Sequence, residues 1–441
     1  MNHSSSFSRR TALASLAGAA LAGTAAFPAS ASGRYGAGRT VRFATFNASL
    51  NRATQGALVT DLSTPDNAQA QNVAETIQRV NPDILLINEF DYIEGGAAVR
   101  LFLDNYLSRG HNGARPIHFP HHFTGPVNTG VPSGVDLDGK NGVVTTPGSD
   151  AYGQDAFGYG FFPGQYGMVV LSKFPIDTRA VRTFQHFLWK DMPGNVIPPG
   201  YYSDAARAIF RLSSKSHWDV PVRLGHETVH FLVSHPTPPT FDGTEDRNGR
   251  RNHDEIRLWA DYIGGHARSA YLYDDKGVRG GLRPGARFVI AGDQNADPYD
   301  GDSYDHAIRQ LLDHPAINLP AKPPAGAGGV EAAKLQGGAN VGQIGNPAYD
   351  TGDFSDTAPG NLRVDHVLPS KGLVPGKNGV FWPTSDDPLY RLVGDGRHSR
   401  HVRPPDGVAG RAAGLGLSGQ VRDEFLADPR ECVRQRLRGN R

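Results

Sequence analysis

Six residues carry the chemical interest of this chain: Asn47, Glu89, His235, Asp293, Asn295 and Asp365. Each stands at the end of a short apolar stretch or directly after one. Carboxylates and carboxamides are hard oxygen donors, which suit magnesium or manganese, with calcium also possible. A cation held by few carboxylates keeps positions open for phosphate oxygens. It can then offset charge that develops during in-line attack on phosphorus. Taken singly, each residue has an ordinary structural role. An Asp-x-Asn after a strand is commonly a turn bonded to its own backbone. A strand-end histidine is commonly structural, and Glu89 reads equally as a solvated strand end. Taken together, polar groups at the ends of several apolar strands describe a rigid site at one rim.

The elements that must position them follow from periodicity. Residues 41–47 alternate and read as a first strand. Residues 66–80 carry Ala70, Val73, Ile77 and Val80 at helical spacing, and Asn81-Pro82 ends that helix. Residues 84–89 form a continuous apolar run, as in a buried strand. Further strands are expected at 167–172, 206–212, 227–234, 287–291 and 363–368. Helices are expected at 252–267 and 302–312. Residues 110–165 and 321–356 read as long loops, a length that usually carries function. Strands with interspersed helices and no internal repeat argue for an α/β sandwich in a single domain.

The chain has 441 residues, a net charge of +1, 54 Gly and 32 Pro, which favours loops and turns over a helical bundle. Near-neutral charge argues against a dedicated DNA-binding surface. Arg9-Arg10, an apolar Ala-rich run from Leu13 to Phe27 and Ala29-Ser30-Ala31 form a three-part pattern. It reads as a twin-arginine signal peptide over residues 1–31, and the run is too short to make a good membrane span. Residues 32–40 are then a linker, and the mature protein is expected outside the cytoplasm without a membrane span. A single cysteine, Cys432, precludes an intrachain disulfide. Asp136-Leu137-Asp138-Gly139-Lys140-Asn141-Gly142 resembles part of a calcium loop. It lacks the full spacing and terminal Glu, so a Gly/Asn-rich turn is the preferred reading. His121 and His122 read as exposed loop residues.

From about Val41 to Gly396, six motifs in order resemble the endonuclease/exonuclease/phosphatase superfamily. They are Thr45-Phe46-Asn47; Ile87-Asn88-Glu89; the stretch from Tyr166 through Ser172-Lys173-Phe174-Pro175-Ile176; Ser234-His235-Pro236; Gly292-Asp293-Gln294-Asn295; and Arg363-Val364-Asp365-His366. The resemblance implies a four-layered α/β sandwich, with two mixed sheets face to face and helices outside, over residues 41–396. It implies a divalent-metal-dependent phosphoesterase acting on phosphodiester or phosphomonoester bonds, nucleic acid among the candidate substrates. Glu89 would hold the metal, with Asn47 assisting. Asp293 would orient or deprotonate the attacking water, and Asn295 would position it. His235 would stabilise charge on the phosphoryl group. Asp365 would polarise a second histidine in a closing Ser-Asp-His motif.

That closing motif is absent. Residues 397–441 hold ten Arg, no Lys, no Ile and one aromatic residue, Phe425, and show no expected strand. Read one nucleotide later with permitted wobble bases, the codons for residues 398–409 can give Ser-Asp-His followed by an apolar end. A shifted reading frame after Gly396 is therefore one account of this Arg-rich tail. On that account the chain lacks its last core strand and its acid/base histidine, and catalysis is impaired. His398 or His401 would be the substitutes if the tail is native. A non-catalytic exported binding protein is the competing class, although a pure binder needs no complete metal constellation.

Overall fold

The computed structural model describes residues 40–394 and the strand Cys432–Gly439. Thirteen strands occur among them: β1 Thr40–Leu50, β2 Ile84–Phe90, β3 His121–Phe123, β4 Met168–Ser172, β5 Arg182–Thr183, β6 His217–Leu224, β7 Glu227–Ser234, β8 Arg287–Asp293, β9 Gly352–Asp353, β10 Asn361–Leu362, β11 Asp365–Pro369, β12 Leu373–Val380 and β13 Cys432–Gly439. One sheet runs β12-β13-β1-β2-β4-β3 and the other β11-β8-β7-β6-β5, while β9 and β10 form a separate ribbon. Both large sheets are mixed: β1 and β2 are parallel, as are β7 and β8, and the remaining pairs within them are antiparallel.

The sheets pack face to face. Phe43, Ile84, Leu86 and Val170 of the first share one buried cluster with Trp218, Val220, Phe231, Val289 and Val367 of the second. The outer face of the first sheet, with Ala44, Phe46, Leu85 and Ile87, packs on helices that supply Leu58, Val73, Ile77 and Phe102. The outer face of the second, with Leu232, Ile290 and Leu368, packs on Ile256 and Trp259 of the helix Arg247–Ile263. The result is the expected order of helix, sheet, sheet, helix. Each fully buried aliphatic or aromatic side chain contributes about 1.5–3 kcal/mol. An unsatisfied buried polar group costs about 1–3 kcal/mol, so this apolar core supports the polar rim described below.

The helix expected at 66–80 is Ala68–Val80, and it buries Ala70, Val73, Ile77 and Val80. Asn67 caps it by accepting the Ala70 N–H at 3.0 Å, and Asn81 ends it in the left-handed conformation. Four expectations need correction. Residues 206–212 are not a strand: Asp204–Ile209 is helical, because Ser203 caps it and Ala-rich propensity outweighs alternation. Residues 302–312 divide into Tyr304–His306 and Arg309–Leu312, with Asp305 at φ 47° breaking the run. The 321–356 loop contains the helix Ala327–Gln336. The tail does supply a strand. β13 lies between β12 and β1, with Leu437, Gln435 and Val433 opposite Val41, Phe43 and Thr45. Backbone pairing is indifferent to side-chain polarity, and Val433-Arg434-Gln435-Arg436-Leu437-Arg438 does alternate with the strand period. His398 and His401 lie outside the described residues, as do residues 1–31.

Candidate active site

Glu89, next to last in β2, has φ 57°, a left-handed conformation that costs a non-glycine residue about 1–2 kcal/mol. Beside it β1 bulges: its register with β2 shifts between Asn47 and Leu50, and Ser49 has φ 48°. The extra residue brings two carboxamides onto one carboxylate. Asn47 Nδ2 donates to Glu89 Oε1 at 3.0 Å and Asn51 Nδ2 donates to Oε2 at 2.9 Å. Asn47 Nδ2 also reaches Asp293 Oδ2 at 3.2 Å, so residues from both sheets meet there.

His235 and Asp293 share this rim because β7 and β8 are parallel and deliver both residues from their C-terminal ends. His235 Nε2 lies 3.4 Å from Asp293 Oδ2. Gly292 has φ 154°, and a Cβ there would sit 2.0 Å from the Ser234 carbonyl oxygen, so only glycine fits against β7. The Asn295 N–H donates to Asp293 Oδ1 at 2.8 Å, and its Nδ2 donates to the Pro236 carbonyl at 3.0 Å. Asn295 thereby ties the aspartate to the histidine segment, at φ 49°. Burial opposes ionisation of Asp293, but His235, the Asn295 N–H and Asn47 hold its carboxyl below the ordinary value. Burial, then the Lys215 ammonium, lowers His235, which makes it a neutral hydrogen-bonding group near pH 7.

Asp365 opens β11 directly opposite Asp293 in the antiparallel register. It is 1% exposed, and the Thr351 side chain is a weak hydrogen-bonding neighbour of its carboxylate. Burial, then the charge of Asp293, pushes it well above the ordinary carboxylate range. The neighbouring His366 stands near the Ala296 carbonyl at 3.2 Å, and burial pushes it down to about 3, so it is a neutral structural residue. All six residues singled out in the sequence thus gather at one rim of the sandwich.

Sequence reasoning missed four others. Asn51 was hidden by the bulge, which no composition signal announces. Asn88 Oδ1 accepts the Thr45 hydroxyl at 3.2 Å and the Asp293 N–H at 3.3 Å, which joins β1, β2 and β8 behind the site. Lys215 was invisible because β6, which it precedes, was not expected, and Glu255, on an expected helix, joins the site only through the N–H groups of Ser214 and Thr237; Pro221 within β6 argues against a strand. It is tolerated because β5 pairs only with Trp218 and Asp219. The long 110–165 segment braces this rim. Asn128 N–H donates to the Lys215 carbonyl at 2.8 Å, and Gln165 Nε2 donates to the Arg52 carbonyl at 2.7 Å.

A divalent cation fits this donor set. Burial, partly offset by Asn47 and Lys215, pushes Glu89 up to about 7. A buried carboxylate of that kind gains most from a cation; Glu89 and Asp293 present oxygen ligands, and Asn47, whose Nδ2 faces them while its Oδ1 accepts the Ser49 N–H, would offer its oxygen after an amide flip. Elsewhere, Asp136, Asp138 and Asp155 come within 4.8 Å of one another. Asp136 accepts the Gly139 and Gly142 N–H groups and Asp155 accepts those of Leu137 and Val144, which makes the segment a side-chain-stapled turn. His121 and His122 are not free loop residues: they lie half-buried in β3, paired with β4.

The sequence profile of the Endonuclease/Exonuclease/phosphatase family matches residues 44–396. No curated protein sequence matches the chain. Among solved structures, an endonuclease/exonuclease/phosphatase from Beutenbergia cavernae DSM 12333 is similar at 14% identity and a TM-score of 0.44, over 91% of this chain and 72% of that one. Sphingomyelinase C from Streptomyces griseocarneus gives 15% identity and 0.42, over 91% and 100%. A family protein from Bacteroides thetaiotaomicron gives 11% and 0.42, over 91% and 99%.

Proposed function

The chain belongs to the endonuclease/exonuclease/phosphatase family, and on that premise we propose that it is an exported, divalent-metal-dependent phosphoesterase. One observation carries the reading: Asn47, Glu89, His235 and Asp293 converge from both sheets on a buried, oxygen-rich rim. Glu89, with Asn47, would hold magnesium or manganese, with calcium as a third candidate. The bound cation would supply Lewis-acid stabilisation of the phosphoryl oxygens.

The chain's own residues perform the rest. Asp293, kept ionised, accepts a hydrogen bond from the attacking water and takes its proton. Asn295 and Asn47 restrict Asp293 to one orientation, which supplies the alignment that in-line attack requires. Neutral His235 has a single N–H, now directed at Asp293, which would turn to a phosphoryl oxygen as charge accumulates there. Arg9-Arg10 and the apolar run after them support export by the twin-arginine route.

A second reading, a catalytically impaired protein on the same scaffold, is favoured by Asp365. Its carboxylate is buried opposite Asp293, with only a weak interaction to the Thr351 side chain among the described residues. A carboxylate in that state suits a missing histidine, and a shifted frame after Gly396 would account for the loss. β13 shows that such a tail can still complete the sheet.

The test is a substrate panel of plasmid DNA, a chromogenic phosphodiester and a phosphomonoester, each with magnesium, manganese or calcium and with chelator. Metal-dependent hydrolysis of any of them is the expected result. Hydrolysis that persists in chelator would overturn the metal assignment, and none with any metal would favour the impaired reading.

A further inference from the structure

Lys215 is 6% exposed, and its ammonium makes no hydrogen bond to the protein among the described residues. Its backbone is clamped on three sides. The β6–β7 register pairs His217 with Ser234, so residues 214–216 run antiparallel beside 235–237. Ser214 Oγ donates to the His235 carbonyl at 3.4 Å. The Glu255 carboxylate, itself fully buried, accepts the Ser214 N–H and the Thr237 N–H at 2.6 Å each. Asn128 N–H holds the Lys215 carbonyl from the far side. Such a clamp fixes Lys215 next to the histidine segment.

Its charge is felt by Glu89 and His235, and in turn it feels Glu255, Glu89 and Asp293. An ammonium has three donors, and a largely buried lysine favours an anion that can take them. Nearby cations are already committed. Arg251 donates to the carbonyls of Leu212, Phe157 and Arg211. Arg52 is engaged by Asp61 and the Asn51 carbonyl. Lys215 is thus the uncommitted cation at this rim among the described residues, placed where His235 can offer only a neutral donor.

We propose that Lys215 is the phosphate-binding cation of the site: its ammonium takes a non-bridging oxygen of the substrate's phosphoryl group, beside His235. This rests on the phosphoesterase reading and adds to it the group that recognises the anion. The carboxylates and Asn47 serve the cation; Lys215 serves the phosphate. Electrostatics gives the two roles opposite signatures. Removing the ammonium weakens phosphate binding but strengthens or spares metal binding, since a cation next to Glu89 and Asp293 repels a metal ion.

The experiment compares full-length wild type with Lys215→Met and Lys215→Arg. Calorimetry measures magnesium affinity, then inorganic phosphate affinity with magnesium present, so neither readout needs turnover. Lys215→Met is expected to weaken phosphate about tenfold or more, with magnesium affinity equal or higher, and Lys215→Arg to keep phosphate binding. Where hydrolysis is measurable, kcat/KM of Lys215→Met is expected to fall about 10²–10³-fold, as for removal of one oxyanion donor. Unchanged phosphate affinity in a folded Lys215→Met overturns the proposal. So does a parallel loss of magnesium binding, which marks a merely structural residue. If Lys215→Met does not fold, Lys215→Gln takes its place under the same criteria. Wild type that binds neither magnesium nor phosphate would instead overturn the phosphoesterase reading itself.

Discussion

Raising the pH of the metal-free protein from about 5 to about 8 forces a charge onto Glu89 in a place with little to stabilise it. Glu89 shifts from 4.5 to about 7, first through burial. A folded-state pKa above the unfolded value means that stability is greatest below about 4.5 and is lost as pH rises through about 7. At 1.36 kcal/mol per pH unit, the loss is about 3 kcal/mol. Glu89→Gln cannot ionise and escapes it. Its amide must face Asn47 or Asn51, both of which now donate, which costs about 1 kcal/mol. The metal-free variant is therefore expected to be about 2 kcal/mol more stable than wild type at high pH, and about equal or slightly weaker at low pH. For a domain of this size that is a rise in Tm of about 2–5 °C. Burial also pushes Asp91 up to about 7, and the Glu89 charge adds to that rise, so Glu89→Gln relieves part of it and widens the difference in the same direction. The assay is thermal unfolding in chelator at both pH values, repeated with magnesium. Magnesium is expected to reverse the order at high pH, because only wild type supplies the Glu89 carboxylate in addition to Asp293. A variant with no advantage in chelator, or one stabilised by magnesium as much as wild type, would refute the reasoning.

Three further outcomes follow from the same geometry. Gly292→Ala drives a Cβ to 2.0 Å from the Ser234 carbonyl, so chemical denaturation should show a loss of about 3 kcal/mol or more. Glu255→Ala frees the Ser214 and Thr237 N–H groups inside the protein; a loss of about 2–4 kcal/mol is expected, with weaker phosphate binding, measured by denaturation and calorimetry. The coding nucleotide sequence tests the tail: a one-base shift that restores Ser-Asp-His after Gly396 is expected, and the corrected protein should hydrolyse faster than this chain. An intact frame would remove that account.

The six residues first singled out were legible because their strands are plain. Runs such as Ile84–Phe90 and Arg287–Asp293 are buried on both faces and read as strands from sequence alone. What was not legible depends on contacts across distant segments. Asn51 reaches Glu89 only through a bulge in β1. Lys215 and Glu255 belong to the site through pairings that a Pro-bearing strand concealed. The helix Asp204–Ile209 was mistaken because Ala206-Arg207-Ala208-Ile209 satisfies either period, and Ser203 decides. β13 alternates within an Arg-rich tail, and composition drew attention away from that pattern.

The most direct test of the site is metal-dependent hydrolysis by wild type and by Asp293→Ala, assayed side by side on the substrate that wild type cleaves best. Asp293 is the residue that contacts both His235 and Asn47 and receives the Asn295 N–H. The account predicts that Asp293→Ala folds, still binds magnesium through Glu89, and loses at least about 10³-fold in kcat. Equal rates in the two proteins would contradict it.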